Sequence, residues 1–454
     1  YEIPKRDWSS DVCSSDLTRF ESWSFFDPPP TGGNPDSQFV GNRLRVSLSR
    51  SWKRVDVAGS LQYVQFGGLP SRAIGPGFLG TGGLYYFHAN STTARGVFVP
   101  ALNLRLKLPH GLTILGGRFG YTSGAESASG HPRIETIKRS RIDSRLVGDF
   151  EWSLFQRSFD GIRGDVDRRR WHASAAWLRP TQGGFENSAG TSLDGVDLGA
   201  FTLSARPGAV MPASETTAFS YVYSDDRLVT ARPDNTGLAA TRARITVTAI
   251  GGSVVGSARA GAVETDWLGW YAYQAGSWYG QSHRAQAFSL EGGVQRPKGW
   301  QPWLRTGYSY ASGDGDPRDN RHETFFMMVP TVRRFAFTTI YAPMNLRETF
   351  VEFIVRPSTR LRARADVRRL WLADGADRWY SGSGATQRAG SFFGYAGRSS
   401  GGHTGLGTAV QGAADVTLGR HWSVNAFAGG MHGDRKSTRL NSSHVSESRM
   451  PSSA

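Results

Sequence analysis

The sequence predicts an all-β chain, a transmembrane antiparallel β-barrel. Three observations carry the prediction. Segments alternate apolar and polar residues, with arginine recurring at the polar positions. Long and short connections alternate along the chain. No uncharged apolar run approaches the roughly 18 residues that a membrane-spanning helix needs.

The alternation is clearest in Arg43-Leu44-Arg45-Val46-Ser47-Leu48-Ser49. Residues two apart share a face of a strand. Leu44, Val46 and Leu48 therefore form an apolar face, and Arg43, Arg45, Ser47 and Ser49 a polar one. The pattern recurs over 102–108 with Asn103, Arg105 and Lys107 between leucines, over 242–248 with Arg242 and Arg244, and over 361–368 with Arg362, Arg364 and Arg368. Strands that are apolar on one side and cationic on the other suit a closed barrel with lipid outside and water inside. An arginine-lined bore would favour anions.

Taken in order, 17 strands are expected: 17–27, 39–50, 53–66, 96–108, 111–122, 145–161, 168–179, 195–205, 216–225, 241–251, 260–275, 283–295, 300–312, 346–356, 360–372, 403–418 and 421–432. Short connections such as Ser51-Trp52-Lys53, Pro109-His110-Gly111, Pro357-Ser358-Thr359 and Gly419-Arg420-His421 read as periplasmic turns. Long ones at 67–96, 123–144, 180–194, 227–240, 313–345 and 373–402 read as external loops. Single-chain bacterial barrels have even strand numbers, so about 18 strands are expected when the barrel is complete.

The termini are expected to be foreign to the barrel. Residues 5–17 read KRDWSSDVCSSDL and 435–454 read RKSTRLNSSHVSESRMPSSA; both resemble translated sequencing-adapter DNA. Residues 1–16 and 435–454 are therefore set aside, and 17–434 is taken as the barrel, truncated at its last strand. The missing initiator Met and signal peptide then carry no information.

The chain has Lys+Arg 53 against Asp+Glu 38, a formal charge of +15. Within 17–434 the balance is 47 against 33, so the excess is native. A basic chain points to nucleic acid, anionic lipid or an anionic solute. The arginines sit on strand faces, with no long single-sign run and no zinc-finger spacing, which favours the solute over nucleic acid. Cys13, the single cysteine, lies in the N-terminal peptide, so disulfide frameworks and Cys metal sites are excluded. Aromatic residues cluster near strand ends: Trp23, Phe25 and Phe26; Trp267, Trp270, Tyr271 and Tyr273; Trp300 and Trp303; Tyr308 and Tyr310; Trp371. Interfacial belts explain that placement; ordinary packing in a soluble β core is the alternative.

Several motifs carry a resemblance to the alginate export family of outer-membrane barrels. They are Arg19-Phe20-Glu21-Ser22-Trp23, Gly117-Arg118-Phe119, Arg157-Ser158-Phe159-Asp160-Gly161-Ile162-Arg163, Pro302-Trp303-Leu304-Arg305, Tyr310 to Pro317 (YASGDGDP), Thr324-Phe325-Phe326 and Pro330-Thr331. The likeness spreads over most of 17–432. It implies an 18-stranded barrel with an arginine-rich constriction that passes a polyuronate. The exporter type has a long periplasmic loop near its C-terminus that helps occlude the pore; here Gly419-Arg420-His421 reads as a tight turn, so gating by that loop is not expected.

Strand parity places Arg43, Arg45, Arg105, Lys107, Arg118, Arg242, Arg244, Arg305, Arg362, Arg364 and Arg368 in the lumen. The resemblance adds Arg157 and Arg163. A guanidinium binds a carboxylate through two parallel hydrogen bonds and keeps its proton. A ladder of such weak sites would let a polymer with one carboxylate per sugar step along the bore. Asp56, Glu264, Asp266, Glu291, Glu352, Asp366 and Asp415 fall on the same faces and would pair with some of the arginines. Ion-pair ladders that only stabilise the barrel are the competing reading of the same residues.

Asp314, Asp316 and Asp319 are candidate oxygen ligands for calcium, weighed against a turn built from Asp side chains. The turn is favoured, so no metal and no cofactor is expected. His spacing fits no metal site, Ser381 lacks the strand–turn–helix context of a nucleophile elbow, and no enzyme is expected. The functional expectation is an outer-membrane channel exporting or passing an anionic polysaccharide such as alginate. A general anion-selective porin for small organic anions is the alternative, and a surface adhesin or enzyme-like β domain that spans no membrane is a third class. Expected partners are the polyuronate or small anions, outer-membrane lipids and periplasmic export machinery.

Overall fold

The computed structural model describes residues 11–24, 33–74, 80–237, 242–335, 340–434 and 443–450. Eighteen strands form one antiparallel sheet. They are β1 (Asp11–Ser24), β2 (Asp36–Ser51), β3 (Val55–Gly67), β4 (Ala94–Leu108), β5 (Leu112–Phe119) and β6 (Phe159–Asp167). Next come β7 (Trp171–Pro180), β8 (Val196–Ala205), β9 (Ser214–Asp225), β10 (Ile245–Ala260), β11 (Val263–Trp278) and β12 (Gln281–Gln295). The last are β13 (Trp303–Ala311), β14 (Leu346–Ser358), β15 (Leu361–Leu372), β16 (Gly405–Thr417), β17 (Ser423–Gly433) and β18 (Ser443–Met450). Each strand pairs with its neighbours in order, and β1 pairs with both β2 and β18, so the sheet closes on itself. Closure leaves no unpaired edge, which is what a sheet in hydrocarbon requires.

The outward faces carry the apolar residues that the alternation predicts. Leu44, Val46 and Leu48 on β2 are exposed, as are Leu102 and Leu104 on β4, Leu290 on β12 and Val351 on β14. No helix among the described residues is long and apolar enough to cross a membrane; the strands do the crossing.

Turn chemistry sets the periplasmic side. At Pro109–Gly111 both His110 (φ 59°) and Gly111 (φ 63°) are left-handed. That backbone twist matches the flanking strands of a tight hairpin, so β4 and β5 pair in register down to Leu108 opposite Leu112. The long connections leave from the opposite rim; they carry helix α1 (Gly80–Ala89), helix α2 (Pro132–Ile137), which reaches down inside the barrel, and a small ribbon pairing Arg378–Gly382 with Tyr395–Ser399.

Several expectations need correction. The strand expected at 145–161 is absent: β6 begins at Phe159, and 120–158 is one long insertion between β5 and β6. The strand expected at 241–251 runs instead from Ile245 to Ala260. The eighteenth position is filled by 443–450, within the stretch that the sequence reading set aside. The aromatic belt is partly inverted. Tyr271 and Tyr273 are exposed outward, while Trp23, Trp270 and Trp303 are buried on inward faces. Phe25 and Phe26 lie outside the described residues.

The insertion explains the inversion. Residues 120–158 turn into the barrel with Ile134, Ile137, Leu146, Val147, Phe150, Leu154 and Phe155 buried, joined by Phe325 to Val329 from the 312–345 connection. Gly148 N–H donates to Val329 O (2.8 Å), Val329 N–H to Leu146 O (3.0 Å) and Thr331 N–H to Ser144 O (3.0 Å). A packed apolar core thus lies against the inner wall, and apolar wall residues near the external rim such as Ile245, Val247 and Tyr223 turn inward to meet it.

Candidate functional site: the charged bore

Residues directly opposite each other on antiparallel strands point to the same side, so each cation can be placed by its partner. Arg43 lies opposite Val64 and Arg45 opposite Gln62, both fully buried. Arg105 and Arg163 both face Leu115, and Arg105 also stands opposite Asp56. Arg305 pairs with Glu352, Arg364 with Ile354 and Arg368 with Phe350, all buried; Arg362 pairs with Asp415. With Lys107, these side chains point into the barrel.

Arg118, Arg242 and Arg244 do not. Arg118 stands opposite Leu102, an outward residue 63% exposed, and its guanidinium grips Asp160 through two hydrogen bonds of 2.7 and 2.8 Å. Arg242 and Arg244 flank the fully buried Ala243 and share parity with the exposed Ile250. The expectation took Ala243, Ile245 and Val247 as the lipid face. The packed core inside makes them the inner face, and the arginines face out.

Arg157 also departs from expectation. It is buried, and its guanidinium donates to the carbonyls of Val329 (3.0 Å), Gly148 (3.3 Å), Ala385 (2.8 Å) and Ser383 (3.3 Å). It ties three external connections together rather than lining a path.

Several of the inward cations are matched by carboxylates, whereas Arg45 donates to Gln62 Oε1 at 2.7 Å and to Gln156 Oε1. Towards the periplasmic end, Lys107 meets Asp56 at 2.5 Å, Arg163 meets Asp165 at 2.6 Å and Arg364 meets Glu352 at 3.8 Å. Arg105 remains exposed to the bore, and Arg43 and Arg362 half so. Deeper in, Arg305 bridges Asp266 (3.1 Å) and Glu291 (3.3 Å), and Arg368 pairs with Asp366 (2.6 Å) and Glu348.

Parity reasoning could not find a second set of cations, because the insertion supplies them. Arg133 meets Glu264 (3.1 Å), Lys138 meets Glu215 (2.6 Å) and Arg141 meets Glu291 (2.8 Å), so the α2 region is fastened to β9, β11 and β12. Arg145 lies over Trp270 at 4.8 Å and Phe335 at 4.9 Å, with its Nη2 at 4.0 Å from Glu291. The other end of the insertion reaches β1 and β3: Trp152 O accepts from Arg19, and Leu154 O accepts from Gln62 Nε2 at 2.9 Å. One segment therefore runs from wall to wall, with basic side chains along it. The sequence signal was the helix-compatible, basic stretch 132–144, which lay in the segment 123–144 read as an external loop.

Asp314, Asp316 and Asp319 form a turn. The Asp316 N–H donates to Asp314, Arg318 N–H to Asp316 and Arg321 N–H to Asp319, the self-bonding expected of Asp in turns. Asp314 N–H also donates to Asp377 Oδ2 (3.0 Å). Burial, and then the charge of Asp377, push the Asp314 carboxyl up to about 7. Among the described residues no group of three or more ligand-type side chains is arranged to hold a metal ion.

A closed antiparallel barrel with an apolar exterior, short turns on one rim, long connections on the other and a bore lined with charge defines an outer-membrane channel. The profile of the alginate export family matches residues 139–432, and the chain belongs to that family. No curated protein sequence matches it. Its fold is similar to OccAB4 of Acinetobacter baumannii (TM-score 0.59, 7% identity, covering 99% of this chain and 100% of that one). It is similar also to a BenF-like porin of Pseudomonas fluorescens Pf-5 (0.58, 8%, 98% and 100%) and to OpdK of Pseudomonas aeruginosa, solved with vanillate (0.57, 9%, 98% and 100%). The family is one of alginate export, and one of these neighbours in fold is a BenF-like porin.

Proposed function

We propose that this barrel passes carboxylated solutes across the outer membrane, with a polyuronate such as alginate as the primary cargo, and that it catalyses no reaction. One observation carries the reading. Inward arginines stand at several heights of the bore, on β2, β4, β6 and β15, and those at Arg43, Arg105 and Arg362 keep solvent exposure. Guanidinium groups spaced along a path give a carboxylate chain a series of equivalent, exchangeable partners. The acids opposite Arg105 and Arg362 in register, Asp56 and Asp415, keep these sites weak enough to release. Delivery of a polymer to the periplasmic mouth would call on export machinery there.

Planar-bilayer recordings test this reading. A reversal potential shifted towards the anion and block by added polyuronate are the expected results; equal permeability to both ions overturns it.

A second reading, a porin for small organic anions, is favoured by the wall-to-wall insertion, which narrows the bore. OpdK, similar in fold, was solved with vanillate. Free passage of small aromatic carboxylates with no block by polyuronate would select this reading. Excising 125–141 should then raise conductance severalfold without abolishing anion preference.

A further inference from the structure

The outward face of β10–β13 is ordered in rows, perpendicular to the strands, by its strand register. One row holds Gly252, Tyr271, Phe288 and Tyr310. The next towards the external rim holds Ile250, Tyr273 and Gln286, the next Thr248, Ala275 and Arg284, and the next Thr246, Ser277, Ser282 and Arg321. Rows lie about 7 Å apart, two residues of strand rise. Arg244 follows two residues above Thr246, and Arg242 above that.

The lower two rows form an aromatic girdle: Tyr271 and Tyr273 are exposed, and Phe288 stacks on Tyr310 at 5.6 Å. Such girdles mark the level where hydrocarbon gives way to headgroups. Arg284, Arg321, Arg244 and Arg242 are exposed immediately beyond it.

Their pairing differs from that of Arg118, Arg179 and Arg369, three other arginines near this rim. Arg118 is held by Asp160 (2.7 Å), Arg179 by Asp197 (3.0 Å) and Arg369 by Asp434 (2.7 Å). By contrast, among the described residues no carboxylate lies within ion-pair distance of Arg244 or Arg284. Arg321 has only Asp319 at 4.0 Å, and Arg242 only Asp226 at 3.8 Å, all of them well exposed to solvent or nearly so.

We propose that Arg244, Arg284 and Arg321 form a collar that binds the phosphate groups of anionic lipid headgroups in the outer leaflet, with Arg242 at its upper edge. A guanidinium offers phosphate two parallel hydrogen bonds, and the girdle beneath holds the collar at headgroup height. The collar lies outside the bore, so it acts on the lipid shell and on anchoring, not on the transported solute.

The test is native mass spectrometry of the folded barrel in nonionic detergent. The probe is a bisphosphorylated disaccharide lipid, with its dephosphorylated form as control. The wild type should retain the phosphorylated lipid and release the control. Arg244→Gln, Arg284→Gln and Arg321→Gln should each weaken retention about fivefold, and the triple variant on the order of a hundredfold. Lys53→Gln with Arg54→Gln, at the opposite rim, should leave it unchanged. Heat-modifiable gel migration verifies folding, and the three single variants carry the test if the triple fails to fold. Equal retention by wild type and variants overturns the proposal. So does equal retention of the dephosphorylated lipid, displacement by millimolar inorganic phosphate, or a loss that tracks conversion of an oligomer to monomers.

Discussion

Arg242/Arg244 and Arg362/Arg364 share one sequence pattern, Arg-x-Arg ahead of an apolar alternation, and meet opposite environments. Arg362 and Arg364 follow the tight turn at 359–360, where the bore is lined by Asp415 and Glu352, and they point inward. Arg242 and Arg244 lie at the external end, where the 120–158 and 312–345 segments pack against the inner wall, and they face out while Ala243, Ile245 and Val247 are buried within. A guanidinium forced into that packed core without partners would cost several kcal/mol. Period-two alternation tells which residues share a face. The contents of the bore decide which face is in.

That comparison can be broken at its most tightly held point. Glu291 meets Arg141, Arg145 and Arg305. Glu291→Gln would leave buried guanidiniums underpaired and should destabilise the barrel by about 3–5 kcal/mol, read as a lower urea midpoint for the heat-modifiable form. An unchanged midpoint would mean that the insertion is held by apolar packing alone. On β2 the two faces can be compared directly. Val46→Arg places a charge on the lipid side and should cost about 2–4 kcal/mol, whereas Ser47→Arg, on the inner side, should fold as well as wild type. Equal loss in both would contradict the orientation of β2.

Charge reversal sharpens the contrast between the arginine pairs. Arg362→Glu with Arg364→Glu should move the reversal potential towards the cation. Arg242→Glu with Arg244→Glu should leave it where it is. A shift with the second pair as large as with the first would place both in the conduction path.

The smallest expected effect is a pH dependence of the external cap. Asp314, its carboxyl raised to about 7 by burial and by Asp377, binds its proton more tightly in the folded cap than at its ordinary value of 3.8. Burial raises Asp377 as well. A raised carboxyl stabilises the folded cap while protonated, and that contribution is lost as pH climbs from about 4 towards 7. Hydrogen exchange in 312–345 should therefore quicken over that interval, and Asp314→Asn should flatten the profile. An unchanged slope in the variant would remove Asp314 as the cause.

The sequence by itself determined the class of fold, because period-two alternation and sorted connection lengths are local properties that any closed membrane sheet must show. Alternation also put the cations of β4, β13 and β15 on the same strand faces as the acids Asp56, Glu352 and Asp415. Tertiary structure alone decided the rest. The insertion at 120–158 carries no strand periodicity, so its entry into the bore, its arginines and its contact with Glu291 were invisible until the wall around it was in place. Once inside, it gave the external half of the barrel an apolar core, and burial of hydrophobic surface then turned Ile245 and Val247 inward and Arg242 and Arg244 out.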